Sequence, residues 1–128
     1  MTQEEKQLLL KDLYSRLLYG VKVEVEYYDA SLKDTHVFKD IVLTIGNINK
    51  LFVYWVSVKP YLRPMSSMTE EEFKEYHNLL IDVDNSGLMN QRLITKIVDW
   101  LDEKMFDHRN LIPKGLALEA KEGMYKTE

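Results

Sequence analysis

The chain contains no cysteine. That absence excludes a disulfide, a thiolate nucleophile and a cysteine-ligated zinc site, and it leaves the redox compartment unreadable from cysteine usage. Glycine is scarce, five residues in 128, and Gly46 and Gly115 fall outside any phosphate-loop pattern, so no nucleotide site or other cofactor is indicated. Long apolar runs are also missing. Leu8-Leu9-Leu10 is too short for a signal-peptide core or a membrane span, and the charged segment before it points to a cytoplasmic protein with no membrane partner. Positive charge is not in excess: the net charge of −4 and pI near 5.4 disfavour neutralisation of a phosphate backbone, and with it nucleic acid as a partner.

Hydrophobic residues make up 45% of the chain, with eight Tyr, four Phe and two Trp. This is the composition of a folded protein that buries a core without staples, and its length suits one domain over 1–128. The last residues, 121–128, read as loosely held.

Thr2 and Glu5 form a capping-box pair, and Leu9, Leu10, Leu13, Leu17 and Leu18 recur at helical spacing before Gly20, so the first helix is predicted over 3–19. Val21, Val23, Val25 and Tyr27 alternate with Lys22, Glu24, Glu26 and Tyr28, the period of a strand with one buried face. A second strand is expected over Val37 to Ile45. A third is expected over Leu51 to Val58, paired with the second through a hairpin at Gly46-Asn47-Ile48-Asn49-Lys50.

Pro60 and Pro64 make Lys59 to Pro64 a stiff, non-helical arm. Thr69 with Glu72 then signals a helix start, and a short amphipathic helix is expected to Leu80, followed by a loop over Ile81 to Gly87. Leu93, Ile94, Ile97, Val98, Trp100, Leu101 and Met105 form the stripe of a further helix over Leu88 to about Met105. The fold class is therefore α+β: a small, mainly antiparallel three-stranded sheet packed with an N-terminal helix and two helices from the C-terminal half.

Asp82-Val83-Asp84-Asn85-Ser86-Gly87 begins like a calcium loop, but Leu93 stands where the bidentate carboxylate belongs, so no metal site is predicted. In the alternative reading, Asp84, Asn85 or Ser86 caps the next helix. His36, His77 and His108 have no neighbours that select a catalytic or metal-binding role. Asp107-His108-Arg109 is nevertheless the cluster on which a polar enzyme or ligand site would be built. Arg63 is expected to bind a carboxylate or free carbonyls of the helical half, with Tyr61 as an apolar anchor of the arm.

Lys59-Pro60-Tyr61-Leu62-Arg63-Pro64-Met65-Ser66-Ser67-Met68-Thr69-Glu70-Glu71-Glu72, Asp99-Trp100-Leu101, and the stretch from Phe106-Asp107-His108-Arg109 through Gly115-Leu116-Ala117-Leu118-Glu119-Ala120 resemble a family of small uncharacterised proteins. These occur in prophage-like and other mobile regions of gut-dwelling anaerobic bacteria. No activity attaches to that family, so the resemblance implies a genetic setting and nothing about chemistry.

With no catalytic set, the leading functional expectation is a protein-interaction or accessory module. The alternatives are a small enzyme or ligand binder around His108 and Arg109, and a phage-derived inhibitor of a host protein. The partner is an unidentified protein. Val53 and Trp55, on one face of an apolar strand, offer a surface for a homodimer.

Overall fold

A computed structural model describes residues 1–49, 55–85 and 91–125. The fold is α+β, with a four-stranded mixed sheet among those residues.

Helix α1, Gln3–Arg16, begins at the expected Thr2/Glu5 capping box. A 3₁₀ turn carries the chain through Leu17–Tyr19, and Gly20 ends it with a left-handed φ of 76°. Strands β1, Lys22–Asp29, and β2, Asp34–Val42, form an antiparallel hairpin. Helix α2, Ile45–Ile48, precedes β3, Trp55–Leu62. Helices α3, Glu70–Asn85, and α4, Gln91–Glu103, follow, and β4 is the two-residue strand Leu118–Glu119.

The sheet order is β2-β1-β3-β4, so the expected pairing of the second and third strands does not occur. β1 lies between them, antiparallel to both. The residues read as a hairpin turn instead start a helix: the Thr44 hydroxyl accepts from the Asn47 N–H, and the Thr44 N–H donates to Asn47 Oδ1 at 2.7 Å. Asparagine here occupies the capping-box position more often held by Glu or Gln.

β3 takes in the first part of the proline arm. Pro60 is buried opposite Val23. Among the described residues β4 covers only Tyr61 and Leu62, which leaves the rest of β3 an edge on that side, where a missing N–H is tolerated. Residues 50–54, including Val53, lie outside the described residues.

The core joins Leu9 and Leu13 of α1 to Val21, Val23, Val25, Leu43, Val58 and Leu62 of the sheet region, and to Met105, Leu111, Leu116 and Ala117. The expected loop at Ile81 is helical, because α3 runs on to Asn85. Near the end of the described residues, Tyr125 is tied to the sheet. Tyr125 Oη accepts from the Lys22 N–H at 2.8 Å and donates to the Tyr61 carbonyl at 2.7 Å, and burial pushes its phenol pKa up to about 12. Among the described residues no helix is long and apolar enough to cross a membrane.

Candidate functional site

Arg63 leaves the end of β3 and reaches α3. Its Nη1 and Nη2 donate to the two oxygens of Glu72 at 2.8 and 2.7 Å, the fork geometry that suits a carboxylate. The hydrogen bond from Arg63 holds the Glu72 pKa at about 2, below its usual 4.5. Glu72 also closes the capping box, accepting from the Thr69 N–H while Thr69 Oγ1 accepts from the Glu72 N–H. The backbone of Arg63 is fixed as well, through Arg63 N–H to the Met105 carbonyl at 2.7 Å and Asp107 N–H to the Arg63 carbonyl at 2.8 Å.

An aromatic column continues this anchor. The Arg63 guanidinium lies 4.2 Å from the Phe106 ring centre, Phe106 stacks on Trp100, and Trp100 stacks on Tyr76 of α3. Trp100 Nε1 donates to Glu75 at 2.9 Å. Through these groups α3 turns Glu72, Tyr76, Leu79 and Val83 inward.

His108 and Arg109 belong to a second, buried assembly. His108 Nε2 donates to Asp102 Oδ1 at 2.8 Å, and Arg109 Nη1 donates to both Asp12 and Asp102 at 2.7 and 3.0 Å. Arg16, fully buried on α1, donates twice to Asp12 at 3.0 Å and once to the Phe106 carbonyl at 2.7 Å. Burial works to raise the Asp102 pKa, but hydrogen bonds from His108 and Arg109 and the charge of Arg16 outweigh it and hold the value at about 2. Burial works to lower the Arg109 pKa, and its bonds to Asp102 and Asp12 raise it overall.

Two carboxylates and two guanidiniums thus satisfy one another inside the protein. Asp107 is used separately, accepting from the Leu111 and Ile112 N–H groups at 2.8 and 2.9 Å. The geometry pins α1 and α4 to residues 106–112. It can orient the His108 ring, but both oxygens of the orienting Asp102 are already engaged by Arg109. Arg16 Nη1 is a buried donor without a partner among the described residues, the kind of position an ordered water fills.

Sequence reasoning singled out His108 and Arg109 but missed Asp12, Arg16 and Asp102. A signal was present: Asp12 and Arg16 stand three and seven residues after Leu9, on the leucine stripe itself. Asp102 likewise stands four after Val98 on the stripe of α4. Charged residues on an apolar face call for buried partners.

The other sequence candidates are placed apart. Trp55, at the start of β3, pairs with Tyr27 and is half-buried against the core. Tyr61 is buried and pairs with Leu118.

An open apolar surface lies on α3 and the 3₁₀ turn before it, Met65–Ser67. A groove of about 770 Å³ is lined by Met65, Met68, Phe73 and Tyr76, with Glu70 and Lys74 on its rim. Phe73, His77, Leu80 and Ile81 continue it along the helix at i, i+4, i+7 and i+8, and all four are exposed, Phe73 by 57%. Phe73 and His77 stack with their rings 6.0 Å apart. From Glu70 to Val83 no residue of α3 is fully buried. The helix carries two apolar faces, and the described residues cover one.

No protein-family model matches the chain, and neither the curated proteins nor the solved structures yield a match.

Proposed function

We propose that the protein is a non-catalytic protein-interaction module, an accessory factor of the mobile element implied by its sequence resemblance, with the outward face of α3 as its contact surface. The observation that carries this reading is the run of exposed Phe73, His77, Leu80 and Ile81 leading out of the methionine-lined groove. Apolar side chains aligned on one exposed helix face mark a place where another surface packs. Methionines suit such a place because their flexible, polarisable side chains adapt to different apolar shapes.

Titration with the apolar dye bis-ANS tests the reading. At a concentration where it sediments as a monomer, wild type should bind it saturably, and Phe73→Asp and Met68→Asp should each abolish most of the fluorescence while leaving circular dichroism unchanged. Dye binding that persists in both variants would refute the assignment of the surface.

A further inference from the structure

We propose that the outward face of α3 is covered by the same face of a second copy of this chain, paired antiparallel about Phe73. The proposal rests on the reading of that face as a contact surface and names its occupant.

The face is complementary to itself. The hollow is lined mainly by residues before Phe73, Met65, Met68 and Thr69 among them, and extends past it to Tyr76; farther along the helix His77 and Leu80 are exposed. A two-fold axis through Phe73 lays these exposed side chains of each copy over the hollow of the other, as an isologous contact requires: residue i meets j, and j meets i. Leu80 stands seven residues, about 10 Å of helix, beyond Phe73.

The rim charges fit the same axis. Glu70 and Lys74 are both exposed and one turn apart on one edge of the groove. Antiparallel pairing brings Lys74 of each copy beside Glu70 of the other, giving two ion pairs. A uniformly acidic or basic partner would instead set a like charge against one of them. The rival surface for self-association, the open edge of β2, is interrupted by a bulge opposite Glu24 and by Asp40 in the left-handed region at φ 59°. Such bulges blunt an edge against strand pairing.

Sedimentation equilibrium across a range of concentrations tests the proposal, with circular dichroism confirming that each variant is folded. Wild type should approach the dimer mass. Phe73→Asp should raise the dissociation constant by about tenfold or more, as expected for loss of a central aromatic contact. Lys74→Glu and Glu70→Lys should each weaken the dimer, and the double exchange should restore it. A concentration-independent monomer would overturn the proposal, as would a dimer that survives Phe73→Asp and dissociates with Trp55→Lys. A monomer that still binds bis-ANS through Phe73 and Met68 would refute the second copy alone; a monomer that does not would refute the contact surface as well.

Discussion

Arg63 joins the end of β3 to the first turn of α3, where both of its Nη groups donate to the Glu72 carboxylate. Hydrogen bonds to charged groups contribute about 1.5–3 kcal/mol, and this pair, partly open to solvent, belongs at the lower end. Arg63→Ala should therefore lower the urea midpoint while preserving helix and strand content; coincident unfolding curves would show the pair to be idle. The pairing of Asp102 was not foreseeable from sequence. Its partners come from α1 and from residues 108–109, and no local spacing announces such a meeting. Asp102→Ala leaves the charge of Arg16 buried with one carboxylate fewer, and should cost about 3–5 kcal/mol in chemical denaturation.

Among the elements, the starts of α1 and α3 were legible, and the start of α2 and several ends were not. Thr2/Glu5 and Thr69/Glu72 are capping boxes in sequence and in space, because the motif satisfies its own backbone donors without help from tertiary structure. The end of α4 carries no glycine, yet it forms a complete Schellman motif. Phe106 N–H donates to the Leu101 carbonyl and Met105 N–H to that of Asp102, with Met105 left-handed at φ 64°. Methionine is accepted there because its side chain is buried in the core. Glycine at this position would relieve roughly 1–2 kcal/mol of backbone strain but forfeit burial worth about 2–5 kcal/mol, so Met105→Gly should lower the melting temperature. A rise would mean that strain dominates. The order of the strands was hidden for a different reason: the alternation in β1 reveals a buried face but not that the strand is central, and the Asn-rich turn after β2 suits a helical cap as well as a hairpin.

For the whole molecule, the α+β class and the sheet-then-helices layout followed from periodicity, while the exposed face of α3 was obscured because periodicity marks an amphipathic helix without saying which apolar positions are covered. Only exposure separates Phe73 and Leu80 from Tyr76 and Leu79, and exposure is set by what the rest of the chain leaves uncovered. Acid stability is also a property of the assembled molecule. Glu72 and Asp102 have pKa values lowered in the fold, from 4.5 and 3.8 to about 2, so each stabilises the protein above its ordinary pKa, and that contribution is lost as pH falls toward the folded value. Thermal stability should thus decline between about pH 4.5 and pH 2, and Glu72→Gln together with Asp102→Asn should flatten that decline; an unchanged slope would remove both groups from the account.

The most direct measurement of the central claim is the urea midpoint of Phe73→Asp against wild type, taken at a concentration where both sediment as monomers. If the outward face of α3 serves contact with another surface, the substitution exchanges one exposed side chain for another, and stability should stay within about 0.5 kcal/mol of wild type. A loss of about 2 kcal/mol or more, the scale of a buried aromatic, would place Phe73 in the core and contradict it.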